Sequence, residues 1–75
     1  MSAMGLTLTI NGRERTFAGL EAGASLADVV AELALKADRV AIERNGEIAA
    51  RDSWSGVQVE SGDRLEVVQF VGGGS

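Results

Sequence analysis

Leu6-Thr7-Leu8-Thr9-Ile10-Asn11-Gly12-Arg13-Glu14-Arg15-Thr16-Phe17 (LTLTINGRERTF) is the stretch on which the fold turns. Leu6, Leu8 and Ile10 alternate with threonines, the period of a strand with one face buried, in residues that suit a pleated surface. Asn11-Gly12 is the favoured pair for a two-residue type I′ turn, so Arg13 to Phe17 is predicted to run back antiparallel. The returning strand is charged at Arg13, Glu14 and Arg15, as an edge strand that must resist pairing with other molecules should be.

Working outward, Ala18 to Ala24 reads as a turn, and Ser25 as a helix N-cap with Asp28 in the first turn, where exposed N–H groups favour negative charge. Leu26, Val29, Val30 and Leu33 form one apolar stripe, and the helix is expected to end near Leu35 to Ala37. Asp28 and Glu32, with Lys36 four residues further on, fall on the opposite side; they read as a solvated face rather than a catalytic carboxylate pair. Val40 to Glu43, the turn at Asn45-Gly46 and Glu47 to Ala49 make a second hairpin. Arg51-Asp52-Ser53-Trp54 is a polar connector, and Trp54 is expected to close the edge of the core, with a base-stacking or ligand platform as the alternative. Ser61-Gly62-Asp63 is a turn, and Leu65 to Phe70 is the segment with the strongest strand character. The sum is strand, strand, helix, strand, short strand, strand: an α+β domain, a mixed sheet of four to five strands with one main helix packed across one face.

Composition narrows what such a domain can do. The chain has 75 residues, enough for one core and too few for a deep catalytic cleft beside it. It contains no Cys and no His, which removes disulfides, thiolate and imidazole metal sites, and the Ser-His and Cys-His nucleophile pairs. Eleven acidic side chains outnumber seven basic ones for a net charge of −4, the reverse of a nucleic-acid binder. Apolar runs fall far short of the ~20 residues a membrane span needs. No export signal is visible at the N-terminus, so a cytoplasmic location is expected.

The distinctive feature is Gly72-Gly73-Gly74-Ser75, a tail without large side chains directly after a strand. Residues 1–71 are expected to form the domain and residues 72–75 the tail. A phosphate-cradling loop does not fit, because no helix follows. A flexible appendage or a working terminus threaded through a narrow channel of a partner both do, since glycine lets other groups approach the backbone closely.

The ordered set Leu6 to Ile10, Asn11-Gly12, the Ser25-led helix, Val40-Ala41-Ile42, Asn45-Gly46-Glu47-Ile48, Ser61-Gly62-Asp63-Arg64 and the ending LEVVQFVGGG (Leu65 to Gly74) resembles the ThiS family of sulfur carriers in thiamine biosynthesis. The resemblance implies a ubiquitin-like β-grasp fold and a protein that is not an enzyme but a co-substrate of enzymes. It implies that Gly74 supplies the carboxylate that is adenylated and converted to a thiocarboxylate, with Gly72 and Gly73 threading the tail. No cofactor is expected on the chain itself; ATP and magnesium serve an E1-like, ThiF-like adenylating enzyme. A cysteine desulfurase or other sulfur donor supplies sulfur, and a ThiG-like thiazole synthase takes it up. The family pattern ends in free Gly-Gly whereas Ser75 follows here, so removal of Ser75 by a trimming protease is expected to expose Gly74.

By alternation, Leu65 and Val67 point to the core and Glu66, Val68 and Phe70 outward. Val68, Phe70 and Val71, beside the tail, are the expected partner-docking residues; cover by a neighbouring loop or strand is the alternative for Phe70. Other readings are the small subunit of molybdopterin synthase, which tends to carry prolines before its di-glycine whereas this chain has none, a carrier for cysteine or another sulfur metabolite, and a β-grasp interaction module with an inert tail.

Overall fold

The computed structural model of the chain describes residues 5–70. Two antiparallel strands open it, β1 (Leu6–Ile10) and β2 (Arg13–Phe17). The helix α1 (Leu26–Glu32) follows, then β3 (Val40–Arg44), β4 (Glu47–Ala49) and β5 (Arg64–Gln69). They form one five-stranded sheet in the order β2-β1-β5-β3-β4. β5, last in sequence, is thus the central strand, parallel to β1 and antiparallel to β3.

Both hairpins form where Asn-Gly predicts them: Asn11 and Gly12 have φ of 51° and 83°, Asn45 and Gly46 of 53° and 89°, the paired positive values of a type I′ turn. Gly5 also has positive φ, and a Cβ there would collide with the Phe17 carbonyl oxygen across the hairpin, so glycine is what lets the two strand ends meet. β2 is exposed along its length except at Phe17, and the Arg15 guanidinium lies 5.2 Å from the Phe17 ring centroid, capping the core with charge at the sheet edge.

The apolar stripe of α1 (Leu26, Val29, Val30) packs on Leu6, Leu8, Ile10, Ile42 and Leu65 from one face of the sheet, with Trp54 and Val59 completing the core. Ser25 caps the helix as expected, and more fully: its Oγ accepts from the Asp28 amide at 3.1 Å while the Asp28 carboxylate accepts from the Ser25 amide at 2.9 Å, a reciprocal capping box.

One expectation is corrected. The helix ends at Glu32, short of Leu35 to Ala37. Ala34 takes left-handed geometry (φ 58°), and the Ala34 and Leu35 amides donate back to Ala31 and Val30, closing a Schellman motif. Lys36 therefore lies beyond the helix and does not extend the Asp28–Glu32 face. The polar connector at Arg51 takes the form of a 3₁₀ helix (Arg51–Gly56) in which Trp54 is the buried residue, closing the core as expected. Trp54 is 4% exposed with its Nε1 donating to the Ala49 carbonyl at 2.9 Å. That burial leaves no ring face for a ligand to stack on.

Candidate functional site

The tail expected to carry the chemistry follows β5, and several side chains hold that strand in place. Asn11 does more than turn the first hairpin. Its Oδ1 accepts from the Val67 amide at 2.7 Å, its Nδ2 donates to the Val67 carbonyl at 3.2 Å, and its own amide donates to the Leu65 carbonyl at 2.9 Å. The side chain thus continues the parallel pairing of β5 beyond the end of β1. Asn45 does the equivalent on the other flank: its Oδ1 accepts from the Arg64 amide at 2.9 Å and its backbone amide donates to the Arg64 carbonyl at 2.8 Å. The turn signal is readable in the sequence; this second task of each asparagine is not, because the partner strand lies far along the chain.

Asp63, at the entry to β5, is the buried charged residue of the core region, 8% exposed. Its Oδ2 accepts from Arg44 Nε and from the Glu60 amide, each at 2.9 Å, and its Oδ1 from Asn45 Nδ2 at 3.2 Å. Burial alone would raise its pKa; the Glu60 amide, Asn45, and the hydrogen bond and charge of Arg44 outweigh it and hold the carboxyl below its ordinary value. This is a structural anchor, since both carboxylate oxygens face donors from the chain itself.

At the other end of β5, Val68 is 57% and Phe70 55% exposed, as alternation predicts. Phe70 stands one residue past the strand, with its amide donating to the Arg39 carbonyl at 2.8 Å. Phe70 borders a depression lined also by Ala37, Asp38, Ala50, Arg51 and Asp52, so neighbouring segments flank it without burying it. Ile48, 78% exposed, is a third member of this set that the sequence reading missed. The hairpin register sets Ile48 opposite Glu43 and Ala41 opposite Val68, so Ile48 lies on the same open face of the sheet, away from α1. Counting residues outward from the Asn45-Gly46 turn is the signal that finds it.

Of the other expected site residues, Val71, Gly72, Gly73 and Gly74 lie outside the described residues, as does Ser75. Among the described residues there is no cluster of three or more potential metal ligands, and no helix is long and apolar enough to cross a membrane.

Known proteins share the architecture, and a family model extends over the glycine segment. The family model described as "ThiS family" matches residues 8–74, which takes in β5 and all three glycines. A crystal structure of the thiamine biosynthesis protein (ThiS) from Geobacter metallireducens superposes with a TM-score of 0.77 at 33% identity, covering 92% of this chain and 100% of that one. A solution structure of a thiamine biosynthesis protein from the same organism gives 0.77 at 32% identity, covering 93% and 90%. Among curated proteins, a thiazole synthase of Paramagnetospirillum magneticum is 43% identical over 70 residues, 93% of this chain and 21% of that protein. A thiazole synthase of Magnetococcus marinus is 37% identical over 54 residues, 72% of this chain and 17% of that protein. The chain therefore spans about a fifth of the length of the curated relatives it matches.

Proposed function

Because the chain belongs to the ThiS family, with the α+β β-grasp architecture its solved relatives share, we propose that it is a sulfur carrier in the formation of the thiamine thiazole and that its reactive group is the carboxylate of Gly74. The observation that carries this reading is the family match extending through Gly74, the last glycine of the segment that follows the central strand of the sheet in the sequence. In this role the domain is a co-substrate rather than an enzyme and works in the cytoplasm.

The chemistry follows from the group. A carboxylate is a poor electrophile, so an E1-like adenylating enzyme joins it to the AMP portion of magnesium-bound ATP with release of pyrophosphate. A persulfide sulfur from a cysteine desulfurase or an equivalent donor then attacks the acyl carbon: a C–S bond forms and the C–O bond to AMP breaks, leaving an acyl disulfide, and a second thiol cleaves its S–S bond, releasing the thiocarboxylate and forming a disulfide with the donor. That sulfur is the better nucleophile and is passed to thiazole synthase. The thiazole synthases among the relatives support this acceptor over molybdopterin synthase chemistry. Gly74 has to be terminal for the reaction, so cleavage between Gly74 and Ser75 comes first.

What this chain contributes is a rigid anchor and a grip. β5 is held on both sides, so the segment that follows it starts from a fixed point, while Val68 and Phe70 offer an apolar surface beside it. Removal of Gly73, Gly74 and Ser75 should abolish thiazole formation in a reconstituted assay with thermal stability unchanged; retained activity would favour an interaction module with an inert tail. Phe70→Asp, at an exposed position, should leave the domain folded by circular dichroism and slow adenylation measured by pyrophosphate release. Loss of folding instead would place Phe70 in the core.

A further inference from the structure

The only asparagines of the chain, Asn11 and Asn45, each precede a glycine, Gly12 and Gly46, in an exposed two-residue turn. In such a pair the side-chain carboxamide is open to attack by the following backbone nitrogen, because glycine sets no side chain in its path. The space about Gly12 and Gly46 is clear, since a Cβ built on either would meet nothing within 4 Å. Both asparagines are also clasped to β5. Asn11 is bound through Oδ1 to the Val67 amide at 2.7 Å and through Nδ2 to the Val67 carbonyl at 3.2 Å. Asn45 is bound through Oδ1 to the Arg64 amide at 2.9 Å and through Nδ2 to Asp63 Oδ1 at 3.2 Å. A carboxamide engaged at both its oxygen and its nitrogen is not free to turn its carbon onto the amide that follows it.

We propose that Asn11 and Asn45 are sites of spontaneous deamidation gated by the seating of β5. When a clasp opens, the Gly12 or Gly46 nitrogen gives its proton to solvent base and attacks the side-chain carbon. A C–N bond forms, the bond to Nδ2 breaks, and ammonia leaves behind a five-membered succinimide. Water then opens the ring at either carbonyl, giving aspartate or its isoaspartyl isomer; the balance is one water taken up and one ammonia released. Neither product fits its clasp. An aspartate at position 45 sets a second carboxylate against Asp63, which is 8% exposed, and like charges at that spacing repel. An aspartate at position 11 still accepts from the Val67 amide but turns an acceptor toward the Val67 carbonyl where a donor stood. The isoaspartyl form lengthens the main chain by a methylene, which a two-residue turn of fixed register does not absorb. A chain altered in this way loses part of what seats the strand leading to its glycine segment, so one opening makes the next easier.

The test uses the full chain in mildly alkaline buffer made with heavy-oxygen water, so that ring opening labels the product, and peptide mapping by mass spectrometry follows each asparagine separately. Hydrogen exchange of the Val67 and Arg64 amides, measured by NMR at the same pH and temperature, reports how often each clasp opens. Deamidation should run at least about tenfold more slowly in the folded chain than in the urea-unfolded one. The slowing at Asn11 should match the protection of the Val67 amide, and that at Asn45 the protection of the Arg64 amide, within about threefold. Asn45→Asp, which reproduces one product directly, should melt at least several degrees below the parent. Equal rates in the folded and unfolded chains, a folded-state rate well above what amide opening permits, no label in the unfolded chain, or an Asn45→Asp protein as stable as the parent would overturn the proposal.

Discussion

Asp63 is held by three donors, and its lowered pKa ties the fold to pH. A carboxyl whose folded pKa lies below its unfolded value contributes stability that is fully present above the unfolded value, near 3.8, and is lost as pH falls through the folded one. The midpoint of urea unfolding should therefore fall as pH drops below about 4, and Asp63→Asn should flatten that fall while lowering stability at neutral pH by about 1–3 kcal/mol. An acid dependence identical in the two proteins would show that Asp63 is not its source. Ala34 works in the opposite sense. Its left-handed φ costs about 1 kcal/mol relative to glycine, and the two amides that close the Schellman motif are what hold it there. The same residue explains why the sequence reading carries the helix too far: left-handed C′ positions are read from glycine, and alanine, the best helix former, reads as continuation.

The strands, both hairpins and the start of the helix are legible because their signals are local: alternation, Asn-Gly, and Ser25 three residues before Asp28. The order of strands is not, because the position of β5 between β1 and β3 rests on pairings across most of the chain; Asn11 reaches Val67 over 56 positions. Asn11→Gly isolates that contribution, since glycine accepts the positive φ and only the side-chain bonds to Val67 are lost. It should destabilise the domain by about 1–2 kcal/mol in urea unfolding. A change under about 0.5 kcal/mol would mean that the turn alone sets the place of β5. Ile48 is an intermediate case. Nothing in its immediate neighbours marks it as exposed, yet the register that the Asn45-Gly46 turn dictates puts it on the open face.

As a whole, the molecule divides its labour between a body and an end. Among the described residues the body leaves no buried side-chain polar atom without a partner, and its sheet has an apolar and acidic open face. The chemistry is assigned to a backbone carboxylate that residue counts do not register. The glycine segment is legible from the sequence alone, since three consecutive glycines after a strand serve no packing purpose. The central claim is that Gly74 accepts sulfur. Intact mass spectrometry tests it most directly, on the chain ending at Gly74 and on the chain retaining Ser75, each incubated with the adenylating enzyme, magnesium, ATP, a cysteine desulfurase with cysteine, and a thiol reductant. The expected result is a gain equal to sulfur replacing oxygen, located in the C-terminal peptide, on the chain ending at Gly74 alone; no gain on that chain, or sulfur acquired with Ser75 still attached, would contradict it.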